Sequence, residues 1–103
     1  MNATDIIAAA AAYNADFPEA LALIEGGTPM IHAVVEAQGQ GWRIKVWAMA
    51  GVRAADGSGF IAAGDPAFAY WSVRSGREDT AKACRRFAVR TFGDEVPIEV
   101  TKR

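Results

Sequence analysis

SGREDTAKACRRFAVRTFG, residues 75–93, is the stretch whose start, stop and two faces can all be read from its residues. Ser75 followed three positions later by Glu78 makes a capping box, and Gly93 supplies the left-handed residue that commonly closes a helix. The spacing predicts a helix of about four turns. At about 100° per residue, Ala81, Cys84, Phe87, Ala88 and Phe92 fall on one side, and Lys82, Arg86 and Arg90 line the other. One side packs and the other turns positive charge to solvent.

The residues around this helix alternate with the period of strands. Upstream, residues 67–74 place Phe68, Tyr70 and Ser72 on one side and Ala69, Trp71 and Val73 on the other. With both sides apolar, this reads as a central strand. Downstream, Val96-Pro97-Ile98-Glu99-Val100 alternates, and Pro97 cannot donate a ladder bond, so a short edge strand is expected. Residues 53–66 hold turn signals at Asp56-Gly57 and Gly64-Asp65-Pro66. They read either as a long hairpin loop anchored by Phe60-Ile61 or as two short strand extensions meeting at Asp56-Gly57.

Further toward the N-terminus, residues 30–37 and 42–52 are extended patterns joined by Gln38-Gly39-Gln40-Gly41, which predicts a hairpin. In the second of these strands Trp42, Ile44, Val46, Ala48 and Ala50 should face the helices, and Arg43, Lys45, Trp47 and Met49 should face away. A first helix, capped by Asn2 or Thr4, is expected through about Asn14, with Ile6, Ile7, Ala10 and Tyr13 or Asn14 on its packing side. Phe17-Pro18 interrupts it, and a second short helix should run from about residue 17 to 25, burying Leu21, Ile24 and Phe17, with a single kinked helix as the competing reading. The expected fold is therefore a single two-layer α+β domain over residues 1–103, helices on one face of a mainly antiparallel sheet, in the order α-α-β-β-β-α-β.

Composition bounds the function classes. A chain of 103 residues with 51% hydrophobic and 22% charged residues can bury a core without metals or disulfides. Its single cysteine, Cys84, falls on the packing side of the helix, so an inert thiol and a reducing, cytoplasmic setting are expected. MNATDIIAAAAAY lacks a positive leader and carries Asp5, so it reads as a helix rather than an export signal, and no run approaches the ~20 apolar residues that cross a bilayer. Arg outnumbers Lys eight to three and Ala is abundant, the usage of a GC-rich bacterial or phage genome. The net charge of −1 hides a polarity: residues 1–42 carry five acids and no Lys or Arg, whereas all 11 bases fall in residues 43–103 beside seven acids.

No catalytic constellation stands out. His32 is the only histidine, so no His-based metal cluster or Cys–His pair is expected, and neither catalytic residues nor a cofactor site is assigned. Gly57-Ser58-Gly59 lacks the lysine and helix start of a phosphate loop. Two surfaces carry a binding hypothesis instead. Arg43, Lys45 and Trp47 combine phosphate-neutralising charge with a stacking ring, and Lys82, Arg86 and Arg90 form a basic stripe at i, i+4 and i+8. Each has an ordinary alternative: Trp47 and Met49 simply covering the sheet's second face, and the stripe being a solvated helix side whose charges follow the helix dipole.

Two resemblances bear on the choice. The order helix, three strands, helix resembles the double-stranded-RNA-binding fold, and Ala81-Lys82 matches the end of that family's lysine motif, although Glu78 and Asp79 stand where the motif has phosphate-binding lysines. Residues 83–89 through Phe92-Gly93 are similar to the helix ending in Phe-Gly of phage Erf-type single-strand annealing proteins, over less than about a fifth of the chain. The sequence expectation is a small non-enzymatic interaction module, of phage or prophage type, with a protein partner favoured by the negative net charge and nucleic acid as the alternative. A homodimer is a further expectation, since the Pro97-flanked edge or an uncovered Trp face could pair with a copy of itself.

Overall fold

A computed structural model describes residues 1–38, 43–72 and 80–103. It contains α1 (Ala3–Tyr13), α2 (Pro18–Ile24), β1 (Thr28–Gln38), β2 (Arg43–Arg53), β3 (Phe60–Ala62), β4 (Ala67–Ser72), α3 (Thr80–Phe92) and β5 (Ile98–Lys102). The α+β architecture is as the sequence predicts, with one strand more: of the two readings of residues 53–66, the short strand extensions on either side of Asp56-Gly57 form, as the end of β2 and as β3. Trp42 and the Ser75/Glu78 capping box lie outside the described residues.

The sheet is mixed. β1 and β2 form a long antiparallel ladder from Thr28↔Arg53 to Gln38↔Arg43. β5 lies beside β1 in parallel, as a strand that returns through a helical crossover can do, and so forms one edge. The other side of β2 is shared by β3 and β4. Gly51 pairs with Ala62 but Ala48 pairs with Ala67, so the register slips by two residues across Gly64-Asp65-Pro66. Proline cannot donate to a ladder, and a bulge at a sheet edge is where that defect is tolerated. β4 is thus an edge strand and not the central one predicted. Its two apolar sides misled because β1, not β4, took the inner place beside β2 and β5.

Alternation along β2 divides the sheet into two faces. Ile44, Val46, Ala48, Ala50 and Val52 point to the helices with Ile31, Ala33 and Val35, and meet Ile6 and Ala10 of α1 and Cys84 and Ala88 of α3. Val46, Ile31 and Ile6 are fully buried, each contributing on the order of 1.5–3 kcal/mol. The small side chains of Ala10, Ala33, Ala48 and Ala88 fill the remaining contact between the layers.

Local chemistry fixes the helix ends. Asn2 accepts from the Asp5 N–H and caps α1, while Asn14 Nδ2 donates to both the Ala10 and Ala62 carbonyls at 2.8 Å, tying the helix end to β3. Tyr13 Oη donates to Asp65 in the bulge at 2.7 Å. Gly93, at φ +86°, donates its N–H to Val89 and ends α3, where the Met1 amino group donates to the Phe92 carbonyl.

α2 departs from expectation. Phe17, without a side-chain cap bond, precedes Pro18 at its start, and only Ile24 is buried. Leu21 and Phe17 are exposed, because a seven-residue helix and the residue before it turn too little surface to the sheet to bury three side chains; Ile7, on α1, is exposed as well.

Candidate functional site

Among the described residues no helix packs on the sheet's second face. It is built from Met30, His32, Val34 and Glu36 on β1, alternate β2 residues from Arg43 to Arg53, Phe60 on β3, Phe68 and Tyr70 on β4, and Glu99 and Thr101 on β5. Arg43, Lys45 and Trp47 stand together here, as their alternation predicts.

One half of this face is closed by its own contacts. His32 meets Trp47 edge-on and Phe60 at a tilt, both with ring centroids 5.5 Å apart. Its Nδ1 lies 2.9 Å from Glu99 Oε1, the same oxygen that accepts from Arg53 at 2.7 Å. Arg53 also stacks its guanidinium over Phe60 at 5.4 Å. At the far end Arg103 reaches Glu36 at 3.4 Å and the Trp47 ring at 5.9 Å. Val34, between Trp47 and Thr101 in the ladders, is fully buried, so these side chains cover it. In this half Trp47 and His32 pack against each other and against neighbouring side chains.

The other half is open. Phe68 lies opposite Trp47 and Tyr70 opposite Lys45, and they are 52% and 57% exposed. Lys45 Nζ sits 4.8 Å from the centre of the Phe68 ring, and Arg43 at the end of the strand is exposed. Two rings two residues apart on an extended strand stand about 6.6–6.8 Å from one another. Among the described residues the acids of this face are Glu36 and Glu99, each engaged by an arginine, and the open half presents cations and ring surface.

The second predicted surface lies on the opposite side of the molecule. Lys82, Arg86 and Arg90 are exposed along the outer side of α3, whose other side carries the buried Cys84 and Ala88. With Arg85 and Val89 they line an open groove of about 740 Å³. Arg53 stands apart from this stripe, on the other face of the sheet against Glu99. Burial pushes the Cys84 thiol above its ordinary range, partly offset by Arg85, which leaves the thiolate scarce.

Reading β4 as central concealed Phe68 and Tyr70. The signal that finds them is their shared period with Lys45 and Trp47 once β4 is set against β2. Among the described residues no three His, Cys, Asp or Glu side chains converge as a metal site, and no helix is long and apolar enough to cross a membrane. Compared with known proteins, the chain matches no family model, no curated protein and no solved structure.

Proposed function

We propose that this chain is a non-enzymatic module that binds single-stranded nucleic acid on its helix-free sheet face. The observation that carries the reading is the pair of half-exposed rings, Phe68 and Tyr70, interleaved with Lys45 and Arg43. Unpaired bases stack on aromatic rings whatever their sequence, and adjacent cations neutralise the phosphates between them. Net charge favours a protein partner at the level of the whole chain, but the local balance reverses it: here Glu99 and Glu36 are engaged by Arg53 and Arg103, and among the described residues the open half holds the bases Arg43 and Lys45. Arg53 and Glu99, each a third or more exposed, contribute as a pair only about 0–1 kcal/mol to folding. They keep acid away from the ligand at little cost.

The test is anisotropy titration of labelled oligo(dT) and oligo(U). Each of Phe68→Ala and Tyr70→Ala should weaken binding by about 1–3 kcal/mol, roughly 5- to 150-fold. Two phosphate contacts by Arg43 and Lys45 give a log–log salt slope of about −1.4, which R43A/K45A should flatten toward zero. Unchanged affinity in F68A/Y70A, or no binding to either oligonucleotide at 50 mM salt, overturns the reading. Capture of a protein partner that F68A/Y70A abolishes would assign the same face to a protein interface.

A further inference from the structure

The groove along α3 takes no part in that reading, and its chemistry differs. Lys82, Arg85, Arg86 and Arg90 are all exposed and line it together with Val89. A smaller hollow of about 300 Å³ shares Lys82 and Arg85 and continues to Ala81 and Val100 at the β5 edge. Four cations therefore occupy about 12 Å of helix. Among the described residues lining the two hollows there is no carboxylate and no aromatic ring; Phe87 and Phe92 pack against the core.

We infer that the α3 groove is a second nucleic-acid site, one that takes the phosphodiester backbone alone. It offers charge without a stacking surface, so it accepts a duplex whose bases are already paired, whereas the sheet face requires them unpaired. The inference stands independently of the sheet-face reading, because each site has its own ligand form and its own side chains.

The experiment is titration of a labelled blunt 20-bp DNA duplex between 50 and 200 mM NaCl, with the full chain. Neutralising four phosphates gives a log–log slope of about −3.6, an affinity loss of about 150-fold across that range. R85A/R90A should halve the slope and reduce the loss to about 12-fold, and R85K/R90K, which keeps both charges, should retain the original slope. F68A/Y70A should leave duplex affinity unchanged, with circular dichroism confirming that every variant is folded. No duplex binding at 50 mM salt, a slope unaltered in R85A/R90A, or duplex binding lost in F68A/Y70A overturns the inference.

Discussion

Phe60 reaches His32 only because β2 has no side chain at residue 51, so Gly51→Ala probes the closed half of the sheet face directly. A Cβ at this position would meet the Ile61 carbonyl oxygen and stand 2.5 Å and 2.7 Å from two carbons of the Phe60 ring. The ring could swing aside, but the carbonyl is fixed on the short β3 strand beside the β2 ladder. Overpacking of this kind costs typically 1–3 kcal/mol, and a backbone obstacle places this case at about 2–3. In a domain of this length that lowers Tm by about 10–20 °C. Urea unfolding followed by tryptophan fluorescence measures it, with Gly59→Ala as control, since nothing lies within 4 Å of a Cβ there and its backbone is not left-handed. The control should stay within about 0.5 kcal/mol of the parent, or gain slightly through the unfolded chain. Gly51→Ala as stable as Gly59→Ala would mean that Phe60 does not lie across the strand, and the packing of His32 and Arg53 described above would fall with it.

Cys84 should be silent toward a thiol reagent in native buffer and react only as urea unfolds the chain, because it is fully buried and burial raises its pKa; rapid labelling without denaturant would refute that packing. Glu99→Gln keeps the shape but loses the charge that Arg53 meets, and should cost less than about 1 kcal/mol in urea unfolding, whereas a loss above about 3 would indicate a dry pair. Tyr13 is raised above its ordinary 10.0 by the hydrogen bond that it donates to the Asp65 carboxylate, followed by that group's charge. This contact stabilises the fold below pH 10 and is lost as pH rises through the folded value, so the stability gap between the parent and Tyr13→Phe should close at alkaline pH; a gap that stays constant would refute the bond. Asp56 has the opposite sign: hydrogen bonds from the Ser58 hydroxyl and N–H hold it below its ordinary 3.8, so its contribution is present above pH 3.8 and disappears on acidification, and Asp56→Asn should destabilise at neutral pH but not in acid.

What the sequence made legible is what local chemistry decides. The alternation from Ile44 to Val52 assigns each β2 residue to its face, and the 3.6-residue period of α3 separates Cys84 and Ala88 from Lys82, Arg86 and Arg90. Gly57 and Gly93 take the positive φ that their turn and cap require. Strand adjacency was not legible, because β4 becomes an edge through the route of the α3 crossover and not through its own residues. The same limit hid the site's open half: Phe68 and Tyr70 are exposed by what fails to pack beside them. Glu99 joins His32 and Arg53 across 67 and 46 residues, a separation over which no spacing rule acts. Asn14, expected at the end of α1, gave no sign that its amide would bridge to the Ala62 carbonyl.

The two basic surfaces also constrain how the molecule could act on a ligand. They lie on opposite layers, one on the bare sheet and one on the outer side of α3, and the smallest extent of the domain is 21 Å. A strand of only a few nucleotides on Phe68 and Tyr70 could not also fill the α3 groove, so the two proposed sites would act independently on short ligands. On the two proposals together, a duplex with a single-stranded end long enough to pass around the β5 edge, where Lys82, Arg85 and Val100 meet, would link the second contact to the first and replace a bimolecular step by an intramolecular one. The acids of residues 1–42 fit this division: Asp5 and Glu19 belong to α1 and α2, Asp16 and Glu25 flank α2, and Glu36, on the sheet face, is held by Arg103. The acidic half of the sequence thus builds mainly the layer over the β2 end of the sheet, and the basic half supplies both faces on which a polyanion could rest.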